Sequence, residues 1–243
     1  IGALYFNFYL PFACLPLSII GLIDDRLNIS RKLRYFVQII TVSFLINLGA
    51  LKIETNNLLL DYLFTIFLIV FLTAIINFIN FMDGIDGLIC GIFSLTFIIL
   101  SIKINVFFLP LSLGFIGFLN KNWYPSKIFM GDAGSTFLGA IFAASILQSN
   151  SIQEAVSILL LISPILMDSI ICIFRRIYYG HNIFKPHKLH LYQRLHQSGI
   201  KHSNISLIYI VGIIGLSLSY FLGDLNLLFM ISLFEILVGF ILD

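Results

Sequence analysis

The sequence has little charge. Only 11% of its 243 residues are Asp, Glu, Lys or Arg, whereas 59% are hydrophobic and the mean hydropathy is +1.03. This composition excludes a water-soluble protein, and the apolar runs leave no stretch long enough for a separate soluble domain. We therefore predict an all-α, polytopic integral membrane protein, folded as a single membrane-embedded domain over residues 1–243, with no nucleic acid among its partners.

Cysteine is scarce as well, with Cys14, Cys90 and Cys172 scattered in or beside apolar runs. Their spacing matches neither a metal site nor a disulfide framework, so we interpret them as small buried hydrophobic residues. The sequence contains no internal repeat and no low-complexity tract. It begins at Ile1 without an initiator methionine or a signal-peptide pattern, which indicates a fragment that lacks its N-terminus.

Apolar runs of membrane-spanning character follow one another along the whole chain. About nine transmembrane helices are predicted, although several runs are shorter than the ~20 residues of a full crossing. Their approximate ranges are 3–22, 35–51, 62–79, 88–102, 105–119, 136–149, 155–174, 205–222 and 226–242.

The basic residues predict the orientation of these spans. Nine crossings place twelve Lys and Arg residues in one set of loops and only Lys52 and Lys103 in the other. Loops rich in Lys and Arg stay in the cytoplasm. The first set of loops, which also contains the unusual polar residues, is therefore predicted to be cytoplasmic.

The most unusual polar stretch runs from Asn77 to Leu88 and contains Asn77, Asn80, Asp83 and Asp86 at intervals of three residues. Three residues advance a helix by 300°, so such a row drifts about 60° per step and cannot stay on one side. Glycines at positions 84 and 87 favour a break, which predicts a helix that ends in a polar turn and a new helix near Leu88. The alternative is a loop in which Asn and Asp act as helix caps.

Two further loops contain carboxylates. Asp24 and Asp25 are adjacent and repel each other, so they require a cation or basic neighbours, unless they belong to a solvated loop of mixed charge. Asp132 lies in Gly131-Asp-Ala-Gly-Ser135, a flexible turn whose oxygen ligands suit Mg²⁺. The alternative for Ser135 is the cap of a helix that begins there.

The longest polar stretch, from Arg175 to Asn204, contains His187, His190 and Arg194. Histidine with flanking Arg and Lys suits anionic phosphates. There are two alternatives to a phosphate site: a transition-metal site at His187 and His190, or a basic loop that lies on anionic headgroups. Asp168 and Glu235 are acids in or near spans; Asp168 is close enough to reach the cytoplasmic site, and Glu235 has no assigned role.

All of these polar clusters are predicted on one side of the membrane. Phosphoryl transfer needs positioning and charge neutralisation, which the acids, asparagines, histidines and basic residues of these clusters can supply. They indicate a membrane enzyme that acts on a phosphorylated, Mg²⁺-bearing substrate. Apolar spans beside the site suit a lipid co-substrate. A transporter, as the rival class, would place its acids near the midplane on broken helices.

The motifs resemble those of a known family. Asp24-Asp25, Asn77-x-x-Asn80-x-x-Asp83-Gly-Ile-Asp86-Gly, Phe129-Met-Gly-Asp132-x-Gly-Ser135 and the His/Arg loop occur in the order typical of the polyprenyl-phosphate N-acetylhexosamine-1-phosphate transferases, of glycosyltransferase family 4 type. The resemblance implies transfer of a sugar 1-phosphate from a UDP-N-acetylhexosamine to undecaprenyl phosphate. It also implies that UMP is released, that Mg²⁺ is required (with Mn²⁺ as a substitute), and that the site faces the cytoplasm at the inner membrane of a bacterial cell. A homodimer is expected from the resemblance alone.

The resemblance also implies roles for individual residues. Asp132 would be the principal metal ligand with Asn80 nearby, and Asn122 and Phe129 would contact the uracil. Asn77, His187 and Arg194 would bind substrate. The catalytic residues would be Asp24, Asp25, Asp83, Asp86 and His190, and the sequence leaves open whether an Asp acts as nucleophile or deprotonates the lipid phosphate.

The loop after His190 departs from branches that have a run of histidines there. It reads Leu191, Tyr192, Gln193 and Arg194, which is similar to the branch that initiates the O-antigen of lipopolysaccharide. The peptidoglycan translocase, which uses UDP-MurNAc-pentapeptide, is the alternative.

Overall fold

The computed structural model describes residues 2–51, 56–182 and 188–243, with side chains from residue 9 onward. Within these ranges the chain forms helices and no strands, which confirms the all-α class. The helices are α1 (Gly2–Leu27), α2 (Arg31–Leu48), α3 (Leu58–Met82), α4 (Leu88–Lys103), α5 (Phe108–Asn122), α6 (Gly131–Leu147), α7 (Ile152–Leu160), α8 (Ser163–Tyr178), α9 (Leu191–Gln197), α10 (His202–Leu222) and α11 (Leu225–Leu242).

Each predicted span overlaps one of these helices, except that the span predicted at 155–174 is divided between α7 and α8. Pro164 at the start of α8 explains the interruption, because proline lacks an N–H group and clashes with the preceding turn. Among the described residues, α3, α10 and α11 are long and apolar enough to cross a membrane, and the interrupted α7–α8 pair adds a fourth span if counted as one. The chain is a polytopic membrane protein, whereas nine crossings remain a prediction.

Several helix ends have clear local causes in the sequence. The Ser30 side chain accepts a hydrogen bond from the backbone N–H of Leu33 and caps α2. Gly223 ends α10 with a φ of 78°, and the next residue, Asp224, accepts hydrogen bonds from two N–H groups in the first turn of α11. α10 and α11 are thereby joined by a short, well-defined turn.

The chain divides into two compact units, the first formed by residues 1–80 and 130–158. In this first unit α6 is buried along nearly its whole length and packs against α1 and α2. A Cβ atom added to Gly21 of α1 would lie 2.6 Å from backbone atoms of Asp132 and Ala133, so α1 and α6 are in direct backbone contact. This contact brings the acidic end of α1 to the start of α6.

The second unit consists of residues 81–129 and 159–243. Its central helix, α4, is buried over most of its length and packs against α5 and α10. α10 in turn packs against α8, α9 and α11. This division into two units does not test the single membrane-embedded domain predicted over residues 1–243, which stays a prediction.

Two glycines of α5 correct an expectation from the sequence. Close helix packing is the expected role of glycines in an apolar helix, such as Gly114 and Gly117, but a Cβ atom at either position would meet no described atom within 4 Å. Close packing instead occurs at Gly21 and at Gly139, where a Cβ atom would lie 3.0 Å from the Cα of Ile76. Glycine in an apolar helix therefore did not identify which helix faces touch.

Candidate active site

Three carboxylates and one guanidinium group lie together in the first unit, and we call Asp24, Asp25, Asp132 and Arg34 the acidic cluster. Arg34, from the first turn of α2, places its Nη1 atom 2.6 Å from Asp24 Oδ2 at the end of α1 and 2.6 Å from Asp132 Oδ2 at the start of α6. The expectation that the paired acids need a basic neighbour is confirmed for Asp24. In the sequence, Arg34 is one of the basic residues that follow the paired acids.

Asp25 has a different partner from its neighbour. Its carboxylate accepts hydrogen bonds from the backbone N–H groups of Asp132, at 3.0 Å, and Ala133, at 3.3 Å. A carboxylate in this position satisfies unpaired donors and complements the positive end of the α6 dipole. Gly131 has a φ of 64°, and a Cβ atom there would lie 2.6 Å from Asp25 Oδ2, so this contact requires glycine. α6 begins at Gly131, which excludes Ser135 as its cap.

Asp132 lies in the first turn of α6, ahead of the apolar stretch predicted to span the membrane at 136–149. Burial raises the pKa of Asp132 above its usual range, and the neighbouring Asp24 and Asp25 act in the same direction, while Arg34 opposes them. Three carboxylates against one guanidinium leave an excess of negative charge. The acidic cluster is therefore suited to a further cation.

The donor chemistry of the acidic cluster fits Mg²⁺. This ion takes one or two carboxylate oxygens together with waters and substrate phosphate oxygens, and Asp24 and Asp132 direct two oxygens at a single cationic group. In this structure that group is the guanidinium of Arg34. Across residues 2–51, 56–182 and 188–243, no three His, Cys, Asp or Glu side chains are arranged to hold a metal by themselves.

The two asparagines of the polar stretch lie in α3 and have partners within the first unit. Asn77 exchanges hydrogen bonds with Gln38, a buried residue of α2, at 2.8 and 3.4 Å. Asn80 Oδ1 accepts a hydrogen bond from the hydroxyl of Ser135. The amide of Asn77 thus joins α2 to α3, and Asn80 joins α3 to α6.

In the second unit, Asp83 and Asp86 occupy the turn between α3 and α4, and α4 begins at Leu88 as predicted. Asp86 is buried and accepts hydrogen bonds from the backbone N–H and the hydroxyl of Ser126, at 3.1 and 3.0 Å. Asp83 is only half-buried. Asp86 therefore organises the turn, and Asp83 has the more accessible carboxylate of the two.

Asn122 connects this turn to the loop that follows α5. Its Oδ1 atom accepts from the backbone N–H of Gly87 at 3.2 Å, and its Nδ2 atom donates to the carbonyl of Ile128 at 3.0 Å. Asn122 is buried, whereas Phe129, one residue past Ile128, is 72% exposed. Of the two residues predicted at the uracil, Asn122 shapes the loop and Phe129 presents an uncovered ring.

A histidine that the sequence did not single out lies at the same turn. His202, at the start of α10, has Nδ1 3.5 Å from Asp86 Oδ1, and its ring is 4.3 Å from the ring of His196 and 5.7 Å from that of Tyr124. The only signal in the sequence was its place in the long polar stretch. His202 joins α9 and α10 to the Asp86 turn.

His190 belongs to a second buried group, formed around Asp168 of α8. Asp168 Oδ1 accepts from the backbone N–H of Leu191 at 2.8 Å, and Oδ2 accepts from the hydroxyl of Tyr209 at 2.8 Å. His190 Nδ1 lies 3.3 Å from Asp168 Oδ1, and both side chains are buried. Asp168 thus holds the start of α9 and orients His190. That Asp168 reaches the cytoplasmic site stays a prediction.

Tyr192 links α9 to the end of α3. Its hydroxyl donates to the carbonyl of Phe81 at 3.1 Å, and a Cβ atom on Gly84 would lie 2.1 Å from that oxygen. Burial raises the pKa of Tyr192, and the charges of Asp168 and Asp83 add to the effect, so the phenol stays protonated as a donor. Tyr192 therefore has a packing role at this turn.

Two predicted substrate residues remain, Arg194 and His187. Arg194, in α9, forms an ion pair with Asp243. His187 lies outside the described residues, as does the start of the loop in which it was predicted to act with His190.

Comparison with known proteins agrees with this picture. A family model described as glycosyl transferase family 4 matches residues 7–150, more than half of the chain. A "Decaprenyl-phosphate N-acetylglucosaminephosphotransferase" of Mycobacterium leprae is 34% identical over 78% of the chain and 57% of the relative. A "Probable undecaprenyl-phosphate N-acetylglucosaminyl 1-phosphate transferase" of Bacillus subtilis is 29% identical over 81% of the chain and 60% of the relative.

A "Phospho-N-acetylmuramoyl-pentapeptide-transferase" of Carboxydothermus hydrogenoformans matches less of the chain, with 32% identity over 50% of it and 37% of the relative. The chain spans little more than half the length of the N-acetylglucosamine-type relatives described above. The extent of the family match and the similarity to these relatives lead to one conclusion: the chain belongs to glycosyl transferase family 4.

Proposed function

We propose that this protein transfers N-acetylglucosamine 1-phosphate, or a closely related N-acetylhexosamine 1-phosphate, from its UDP derivative to a polyprenyl phosphate such as undecaprenyl phosphate. UMP is the second product. The names of the similar proteins support both substrates. The observation on which the proposal depends is the acidic cluster, in which Asp24 and Asp132 share one cation within the part of the chain that matches the family model.

Phosphoryl transfer depends mainly on positioning and on neutralising charge, and the acidic cluster would do both with a bound metal. Asp132 would hold Mg²⁺, with Asp24 beside it and Asn80 nearby, and the bound ion would neutralise the diphosphate of the donor. Mn²⁺, also a hard cation, would substitute. Asp25 would keep α6 in place, so that the position of Asp132 is fixed before substrate binds.

Residues of the second unit would bind and orient the donor. Asp83 is half-buried and Phe129 is exposed, so these side chains are accessible to a ligand. Asp86 and Asn122 would hold the turn and the loop from which those two project. His190, oriented by Asp168, would contact the diphosphate, with His187 and Arg194 as further cationic contacts.

The predicted location belongs to the same proposal. Twelve of the fourteen basic residues fall in the loops that also contain the acids, which supports a cytoplasmic site at the inner membrane of a bacterium. The reaction would be the first membrane step of an envelope polysaccharide such as an O-antigen, and a homodimer would be its assembly.

Purified protein, supplied with undecaprenyl phosphate and Mg²⁺, should release UMP from UDP-N-acetylglucosamine. A panel that includes UDP-MurNAc-pentapeptide tests the second candidate, which rests on the partial match to the pentapeptide transferase. Release should require both the lipid phosphate and the metal. Folded protein that releases no UMP from any donor would contradict the proposal.

Replacing Phe129 with alanine should raise the KM for the UDP-sugar about tenfold with little change in kcat, because base stacking on an aromatic ring contributes roughly 1–3 kcal/mol. Steady-state UMP release measures both constants. Phe107→Ala is the matched control, since this exposed phenylalanine precedes α5 whereas Phe129 follows it. An unchanged KM in Phe129→Ala would remove this ring from the uracil site.

A further inference from the structure

The second unit has a half-open cavity of about 720 Å³, and of its lining residues the proposed reaction involves only Asp168 and Arg194. It lies between α8, α10 and α11, with α9 lining it as well, and its walls are almost entirely apolar. Gly212, Gly215 and Gly239 lie along the wall, where the absence of side chains leaves space. A volume of roughly 300–1,000 Å³ is typical of sites that take a ligand.

The cavity has a basic group at one end. Arg175, in the last turn of α8, and Arg194, in α9, line the cavity and both form ion pairs with Asp243, which follows α11. These three side chains together carry a net charge of +1, and Asp168 is a further acid of the cavity wall. The side chains of both arginines remain about one-quarter exposed, so an added anion can reach them.

An acidic side chain, Glu235, lies farther along the cavity wall. Glu235 is eight residues before Asp243 on α11, which is roughly 12 Å along the helix axis. Its Oε2 atom is buried without a hydrogen-bond partner among the described residues, and its carboxylate lies beside Gly212 and Gly215. An amphiphile with an anionic head would therefore enter in one orientation, with its head at the arginines and its chains toward Glu235.

We propose that this cavity binds an anionic phosphoglyceride of the surrounding membrane, with its phosphodiester at Arg175 and Arg194 and its acyl chains along the apolar wall. Arginine pairs bind phosphate oxygens through several parallel hydrogen bonds, and basic pockets between membrane helices take anionic headgroups. The Asp243 carboxylate holds the two guanidinium groups together, ready for the phosphodiester.

Charge distinguishes this lipid from a polyprenyl phosphate. A phosphodiester carries one negative charge, which equals the net charge of the three rim residues. A phosphate monoester carries about −1.5 to −2 at neutral pH and would add repulsion from Asp243 and from Asp168, which also lines the cavity. The binding site is thus assigned to a lipid of the membrane matrix, and lipid binding there can be measured without the proposed reaction.

The test is native mass spectrometry of the full chain, delipidated in detergent and titrated with phosphatidylglycerol or with phosphatidylcholine of the same acyl chains. Phosphatidylglycerol should be retained about tenfold more strongly. The double variant Arg175→Gln/Arg194→Gln should lower its retention to that of phosphatidylcholine. The matched control Arg31→Gln/Lys32→Gln removes two exposed charges at the start of α2 and should leave retention unchanged.

Two single variants test the ends of the cavity separately. Asp243→Asn keeps a side-chain oxygen that accepts hydrogen bonds from the arginines but raises the rim charge. It should therefore increase retention of phosphatidylglycerol, a gain that a misfolded variant could not show. Gly215→Leu should reduce retention by filling the cavity, while Gly215→Ala should not, because its Cβ atom meets its nearest neighbour at an ordinary 3.6 Å.

Three results would overturn the assignment. The first is equal retention by wild type and the arginine double variant at equal melting temperatures. The second is displacement of phosphatidylglycerol by inorganic phosphate, which would exclude a role for the apolar wall. The third is preferential binding of undecaprenyl phosphate, which would identify the cavity as a binding site for the lipid substrate of the proposed reaction.

Discussion

Asp132→Asn should reduce UMP release by about 10²–10³-fold, the loss typical when one electrostatic stabiliser of a reacting phosphate or oxyanion is removed. Asparagine has the same shape as aspartate, and its side-chain oxygen still accepts from Arg34, so the helix contacts persist. The backbone N–H at this position still donates to Asp25. Only the negative charge that would hold Mg²⁺ is lost, and UMP release across a range of Mg²⁺ concentrations measures the effect.

Glu154→Gln is the matched control for this variant. Glu154 is an acid of the same unit in the first turn of α7, where it accepts from the backbone N–H of Asn150, and the acidic cluster does not include it. This variant should retain wild-type activity. Wild-type turnover in Asp132→Asn, or a loss equal in both variants, would exclude Asp132 as the metal ligand.

Gly21→Ala should lower both stability and activity. The new Cβ atom would lie 2.6 Å from backbone atoms of Asp132 and Ala133, and a rotamer change cannot relieve a contact between backbones. Overpacking of this kind costs about 1–3 kcal/mol, or roughly 3–10 °C in Tm for a chain of this length. Because α1 contains Asp24 and Asp25, a shift of about 1 Å between α1 and α6 should lower kcat about 10²-fold.

Gly117→Ala makes the same chemical change in α5, where a Cβ atom meets nothing described within 4 Å. That variant should match wild type or gain slightly in Tm, since alanine favours helix over glycine. Thermal unfolding in detergent and steady-state UMP release together separate the two variants. A Gly21→Ala protein with native Tm and kcat would mean that α1 and α6 do not depend on this close approach.

Helices were predictable from the sequence because the apolar runs are long and the breaks are marked by glycine, proline and asparagine. The start of α4 at Leu88 followed directly from the glycines on either side of Ile85 and Asp86. The interruption between α7 and α8 was missed because a single proline in a long apolar run was outweighed by hydropathy, although Pro164 decides the local backbone.

The acids were predictable as a group, but their partners were not. An acidic residue among apolar spans is costly and needs a reason, which directed attention to Asp24, Asp25 and Asp132. Asp24 binds the side chain of Arg34, whereas Asp25 binds backbone N–H groups at the start of α6. This difference depends on the angle at which α1 passes α6, which no local sequence pattern encodes. For the same reason Gly21, rather than Gly114 or Gly117, proved to be the contact glycine.

The hydrogen bonds of Asp25 change how the sequence Gly131-Asp-Ala-Gly-Ser135 should be understood. A glycine-rich turn that opens a helix has the composition of a phosphate-cradling loop, whose free N–H groups receive an anion. Here the N–H groups of Asp132 and Ala133 already receive the protein's own carboxylate. The N-terminal end of α6 is therefore an anion-binding site that the carboxylate of Asp25 already occupies. The turn presents carboxylates to its surroundings, so a nucleotide diphosphate would approach it through a cation.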